Sequence, residues 1–225
     1  FASGVILRRY FLNPSDFGLY RLSLFFMDLF NRIKEFGFDK ALVHRQDNLE
    51  SAYRTHFSLQ LVLSLVVLIV SVASFPVLSR FYEPTVMFFV IILAAFSVFQ
   101  SLSSTQRVFL EKKLEFSKVV TVELISLFLS SSLAIILAAN NFGATSLVIQ
   151  YGSNFLFIFI FLWWVRPWRV NYKELLLFRK SEIKWFLKFG VFLFLGGITT
   201  FIIFRMNDFL LGTVGNLAAL GFYST

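Results

Sequence analysis

Four stretches of the chain, residues 57–78, 86–102, 119–139 and 142–165, are apolar with hardly a polar interruption. Each approaches or exceeds the ~20 residues that a helix needs to cross ~30 Å of hydrocarbon. The runs are continuous rather than alternating, so they read as helices and not as the strands of a membrane barrel. Two weaker candidates flank them. Residues 17–38 carry embedded charges, and residues 185–211 carry Arg205 and Asp208 towards their far end. The pattern predicts six crossings of an all-α, polytopic membrane protein. Phe1 is not an initiator Met, and residues 1–12 read as the end of an earlier helix, so the expectation is a piece of a longer protein.

Composition agrees with the pattern. The chain is 57% hydrophobic with a mean hydropathy of +0.75, more apolar surface than a soluble core buries. Polar residues concentrate in the connections, and the basic ones are unevenly shared between the two sides. Sixteen Lys and Arg fall around 32–54, 107–118 and 166–188, against Arg8, Arg9, Arg21, Arg80 and Arg205 around the alternate ends. By the positive-inside rule the segments 39–55, 107–117 and 166–184 are cytoplasmic, and 9–16, 79–85 and 140–143 face outward. Basic loops beside an anionic leaflet also account for the net charge of +8 without invoking nucleic acid.

Pro84 and Gly143 place helix breakers in both short outer turns, which makes the helices they join antiparallel neighbours. The connection 163–185 is different, being rich in Lys and Arg and holding all four Trp. It reads as an amphipathic linker lying at the membrane interface. The expected division is a first lobe over 1–166, a cytoplasmic linker over 167–184 and the start of a second lobe over 185–225.

Chemistry of several kinds is excluded or disfavoured. There is no Cys, hence no disulfide, thiolate metal site or thiol nucleophile. The two histidines, His44 and His56, lie in a polar segment without metal-ligand spacing and read as solvated or headgroup-facing. No nucleotide-binding or hydrolase motif is present, and no cofactor is expected.

The charged candidate helix is the most informative feature. Positions 21, 25, 28, 32 and 35 recur at spacings of four and three, so Arg21, Asp28, Arg32 and Glu35 share one face around Phe25. Leu22, Phe26, Leu29, Ile33 and Phe36 make the other side apolar. With entry near Asp16, Asp28 lies about 18 Å along the helix, close to the bilayer middle. An ionised group there costs at least ~2.5–3.5 kcal/mol on insertion scales, so the stripe should face a wet cavity or a partner. Asp28 and Arg32 could instead neutralise each other at i,i+4.

Smaller signals accompany it. Glu123 could couple to protons or bond across to a neighbouring helix. The polar run Gln100 to Gln106 reads either as cytoplasmic fraying or as a cavity wall. Gly196 and Gly197 offer a close helix contact or a hinge. Arg205 and Asp208 form a local pair or line a cavity.

An internal repeat supports the two-lobe division. "LNPSDFGLY" at 12–20 aligns without a gap on "GNLAALGFY" at 215–223, an offset of 203 residues. Six crossings separate the copies, so both have the same sense in the membrane, as in transporters whose halves are related by an axis along the membrane normal.

Taken in order, "LNPSDFGLY" (12–20), "FGFDKALVHRQD" (36–47), "SRFYEP" (79–84), "RVFLEKKLEFSKVVTVELIS" (107–126), "NNFGATSLV" (140–148) and "NDFLLGTVGNLAALGFYS" (207–224) resemble the Wzx-type lipid-linked oligosaccharide flippases of the MATE-like MOP superfamily. The resemblance implies a two-lobed, MATE-like helical fold. It also implies alternating access and a polyprenyl-pyrophosphate glycan as cargo for polysaccharide biosynthesis, with glycan polymerase and ligase components as possible partners. Arg21 and Arg32 would then bind phosphate oxygens, with Asp28 and Glu35 setting their rotamers. Three alternatives stand beside this: a multidrug exporter of the MATE type, which would need an acidic cavity; a membrane glycosyltransferase or ligase using the same lipid; and a scaffold without transport.

Overall fold

The computed structural model of the chain describes residues 7, 10–34, 36–167 and 180–214, with side chains described except at 32, 33, 180, 201, 202 and 204–214. Seven helices follow one another among the described residues. They are α1 (Pro14–Lys34), α2 (Phe38–His44), α3 (Leu49–Leu78), α4 (Pro84–Lys112), α5 (Phe116–Ala139), α6 (Ala144–Val165) and α7 (Lys180–Val214). Five of them, α3 to α7, contain a stretch long and apolar enough to cross a membrane. The chain is a multi-pass, all-α membrane protein.

The sixth expected crossing is α1, whose charges keep it off that count although its 21 residues span about 30 Å. Its placement supplies what its composition lacks. Ser23 Oγ lies 3.3 Å from the Val86 carbonyl oxygen, and Lys34 Nζ lies 3.5 Å from that of Ser97. Both pairs are 63 residues apart, so α1 and α4 run parallel in constant register over three turns. Helix α1 also packs on α3, α6 and α7.

The outer turns form as their residues dictate. Pro84 opens α4 at the position where a missing N–H costs nothing. Gly143, at φ +50°, precedes α6. Pro14 and Asp16 in "NPSD" act together at the start of α1: Asp16 Oδ2 accepts from the Asn13 N–H at 3.0 Å, while Oδ1 accepts from the Ala144 N–H at 3.2 Å. One carboxylate thereby serves orphan donors at two helix N-termini and ties the outer end of α1 to that of α6. At mid-height Gly152 lets α6 close on α4, since a Cβ there would lie 2.3 Å from the Phe96 ring.

The inner side departs from expectation. The segment 39–55 is not a plain polar loop: α2 occupies its first part and α3 begins at Leu49. Likewise α4 continues to Lys112, so the run Gln100 to Gln106 does not fray, and Ser101, Ser103, Ser104, Thr105 and Gln106 are buried. Helix α1 ends at Lys34 rather than reaching Phe38, because Gly37 adopts the left-handed conformation (φ +66°) and turns the chain into α2. At the linker, Lys180 to Lys184 belong to α7, while 168–179 and the second copy of the repeat at 215–223 lie outside the described residues.

Candidate functional site

Helix α1 holds the centre of the bundle, and this changes the reading of its charged stripe. Leu22, Ser23, Leu24, Phe25, Phe26 and Met27 are all buried, on every side of the helix, because four helices surround it. Around Phe25 the helix is therefore enclosed by protein. Phe25 and Phe26 pack edge-to-face at 5.5 Å, and Phe26 does the same with Tyr82 at 5.0 Å. Leu29, expected on the side given to lipid or neighbouring helices, is 40% exposed. Arg21 and Asp28 are half-buried, and each has interaction partners. Arg32, Arg205 and Asp208 lie on described helices with side chains outside the described set, and Glu35 lies outside the described residues.

A cation not singled out from the sequence sits one turn further on. Lys34, 4% exposed, donates to the Ser97 carbonyl at 3.5 Å and to Gln100 Oε1 at 3.3 Å. Gln100, a sequence candidate, is thus brought to α1. Glu123 is not. It pairs with Arg107 Nη1 at 3.0 Å across α4 and α5, with both side chains well exposed, and Arg107 also holds Glu111.

The densest polar cluster forms around α2, at the end expected to be cytoplasmic. Phe38, Ala41 and Leu42 recur at i, i+3, i+4 and bury against Ala52, Val108 and Phe186. This fixes α2 in the angle between α3, α4 and α7 and aims Asp39 at α3 and α4. Asp39 Oδ1 accepts three bonds, from His56 Nε2 at 2.9 Å, Gln60 Nε2 at 2.9 Å and Ser104 Oγ at 2.7 Å. His56 is fully buried, and its other nitrogen meets Thr105 Oγ1 at 2.9 Å. This corrects the reading of His56 as solvated. His44, by contrast, is exposed and stacks on Phe189.

Electrostatics fix the roles in this cluster. Burial pushes the Asp39 carboxyl up, but the hydrogen bond and charge of His56, with the bonds from Ser104 and Gln60, outweigh it and hold the carboxyl at about 2. Asp39 is therefore ionised at neutral pH and only accepts, so Nε2 of His56 carries a proton.

The far end of α2 is held as firmly. Lys112 Nζ donates to the carbonyl oxygens of Leu42, Val43 and Arg45, the orphan acceptors at the helix C-terminus. Arg45 pairs with Glu182 at 3.1 Å and lies over the Trp185 ring at 4.4 Å. Helix α7 closes on the same elbow. Phe36 stacks on Phe194 with centroids 4.3 Å apart, and a Cβ on Gly190 would lie 2.1 Å from the Phe36 carbonyl oxygen.

Between α2 and α7 this leaves a cavity of about 580 Å³ bordered by Asp39, Lys40, Gln60 and the Gly196–Gly197 pair. Gly196 makes no close helix contact, since a Cβ there would meet nothing within 4 Å. A second hollow of about 510 Å³ reaches Asp39 and Lys40 from the side of His44 and Glu111. No group of three or more potential metal ligands occurs among the described residues.

Comparison with curated proteins and with solved structures finds no match. The model of a family described as polysaccharide biosynthesis protein matches residues 6–225, and with nearly its whole length covered the chain belongs to that family.

Proposed function

We propose that the chain is the first lobe, and the start of the second, of a transporter that moves a lipid-linked oligosaccharide from the cytoplasmic to the outer leaflet. The observation that carries this reading is α1. A helix with Arg21 and Asp28 half-buried, and Lys34 almost wholly buried, stands in the middle of membrane-crossing helices. Ionised groups at such positions are costly and are found where polar cargo or ions pass. Family membership supports a cargo drawn from the chemistry of polysaccharide assembly.

A polyprenyl-pyrophosphate glycan needs a path for its anionic, hydroxylated head while its tail stays in lipid. Arg21, with Arg32 on the same helix face, matches a pyrophosphate, because guanidinium stays charged in a low dielectric and binds phosphate oxygens in pairs. Asp28 limits how tightly that head is held. In this reading the cytoplasmic linker ends where α7 begins at Lys180, and it joins lobes that rock in alternating access. Membrane lipids surround the bundle, and glycan polymerase and ligase components receive the product. No covalent step is assigned to the chain.

Replacing Arg21 with Glu tests it. Export of the glycan should be lost while the protein still inserts at normal abundance; unchanged export would end the assignment of Arg21 to the cargo path.

A further inference from the structure

Apart from the elbow, the ends of α4, α5 and α6 expected to be cytoplasmic meet around Leu110, Val119, Val122 and Leu162, all buried. Arg166 caps α6, its N–H donating to the Leu162 carbonyl at 2.9 Å, so this apolar contact fixes where its side chain starts. The half-buried guanidinium lies over the Phe109 ring, and Lys113 Nζ lies over the same ring at 4.6 Å. Tyr53 of α3 meets Phe109 with ring centroids 5.5 Å apart, and its phenol interacts with Arg166. Two cations gathered on one ring repel each other and call for a counter-charge.

The chain does not balance this charge. Glu115 is the carboxylate that feels Lys113 and Arg166, yet it is bonded to Lys118 at 2.7 Å. One carboxylate thus faces three cations. Other cations of this end have carboxylates of their own: Arg54 holds Glu50 at 2.6 Å, and Arg107 holds both Glu111 and Glu123. Neither Lys113 nor Arg166 forms an ion pair among the described residues. The connection that follows adds to the excess, since 167–180 contains Arg169, Lys173, Arg179 and Lys180 against Glu174 alone. Burial pushes the Arg166 guanidinium down to about 10, and it is still charged at neutral pH.

Beside the cations the surface turns apolar. Trp164 is 80% exposed and Leu114 76%, with Phe116 and Val165 exposed as well. Leu114 holds φ +58° just past the end of α4, where the Glu115 N–H returns to the Leu110 carbonyl at 2.9 Å. Glycine is usual at such a position, and a leucine there is strained. Its side chain gains nothing in water but does gain against acyl chains. A free phosphate would satisfy the cations and leave this border unused. A zwitterionic lipid would cover the border but bring its own ammonium to the cations. We propose that Lys113, Arg166 and Tyr53 form a binding site for one anionic phospholipid of the cytoplasmic leaflet, its phosphodiester held between the two cations and its chains lying along Trp164, Leu114 and Phe116. The site is separate from the charged residues of α1 and does not depend on what the transporter carries.

The test measures lipid retained by the whole purified transporter in native mass spectrometry, titrated with phosphatidylglycerol or with phosphatidylethanolamine. Wild type should hold one phosphatidylglycerol about thirtyfold more tightly than phosphatidylethanolamine, the effect of two cations at the membrane surface. Lys113→Gln combined with Arg166→Gln should remove that preference and leave phosphatidylethanolamine binding unchanged, which also shows that the variant is folded. Arg54→Gln combined with Arg107→Gln takes the same charge from the same end, but from cations that already have carboxylates, and should leave the preference within about twofold of wild type. Equal losses in the two double variants, or a wild type without preference, would overturn the site in favour of diffuse attraction to basic loops. Displacement of the retained phosphatidylglycerol by an equal concentration of undecaprenyl pyrophosphate would overturn it too, since the cations would then serve the cargo.

Discussion

His56 Nε2 donates to Asp39 Oδ1 across 2.9 Å, joining a wholly buried imidazole on α3 to the first turn of α2. With Gln60 and Ser104 converging on the same oxygen, this bond fastens the elbow 36–45 to two membrane helices. Replacing Asp39 with Ala leaves the buried His56 N–H without an acceptor and should destabilise the protein by about 1–3 kcal/mol. Asp39→Asn, which keeps one acceptor oxygen, should cost less. Thermal unfolding in detergent, read by tryptophan fluorescence with Trp185 lying against Arg45 of the elbow, orders the variants.

The same carboxyl gives stability a defined pH dependence. Asp39 sits at about 2 in the fold, below its ordinary 3.8. Its contribution is therefore complete above pH ~4 and fades as pH falls from there through about 2, where the folded form also takes up the proton. Unfolding midpoints should be insensitive to this group from pH 5 to 7 and should drop in the acid range in wild type. The drop should be smaller in Asp39→Asn, and equal drops in the two proteins would contradict the assignment.

Glu123 is held by Arg107 in the open, where a pair of this kind is worth at most about 1 kcal/mol. Glu123→Gln should leave glycan export within about twofold of wild type and stability nearly unchanged. A carboxyl that carried coupling protons would instead lose export outright, so the export measurement separates the two roles.

Gly190 tests the docking of α7. Gly190→Ala forces a methyl group against the Phe36 carbonyl and should cost about 1–3 kcal/mol, the usual range for overpacking. Gly196→Ala, six residues later, should be neutral or slightly stabilising, as it relieves helix glycine entropy without a clash. Paired unfolding curves check both.

The membrane helices were legible because an apolar run near 20 residues, in a chain this hydrophobic, fits little besides a crossing helix. Pro84 and Gly143 marked their turns for equally local reasons. The elbow was not legible. Its helix has seven residues, and Phe38, Ala41 and Leu42 are interleaved with Asp39, Lys40 and His44, so a polar connection was the simpler reading. The i, i+3, i+4 spacing of those three was the available signal. His56, Gln60 and Ser104 lie 17, 21 and 65 residues from Asp39, and no local pattern reports that they meet. The stripe on α1 was legible as a spacing, but its surroundings depended on four helices closing round it. Lys34 shows the same limit: counted among the basic residues of the inner side, it turns out to be buried against α4.

The most direct measurement is movement of the cargo itself. The whole transporter to which this first lobe belongs is purified and reconstituted into liposomes whose lipid-linked glycan carries a fluorophore on the sugar, and a membrane-impermeant quencher is added outside. The account predicts that the quenched fraction rises from about half, the outer leaflet alone, towards completeness with wild-type protein, and stays at half with Arg21→Glu. A wild-type trace that matches protein-free liposomes would contradict it.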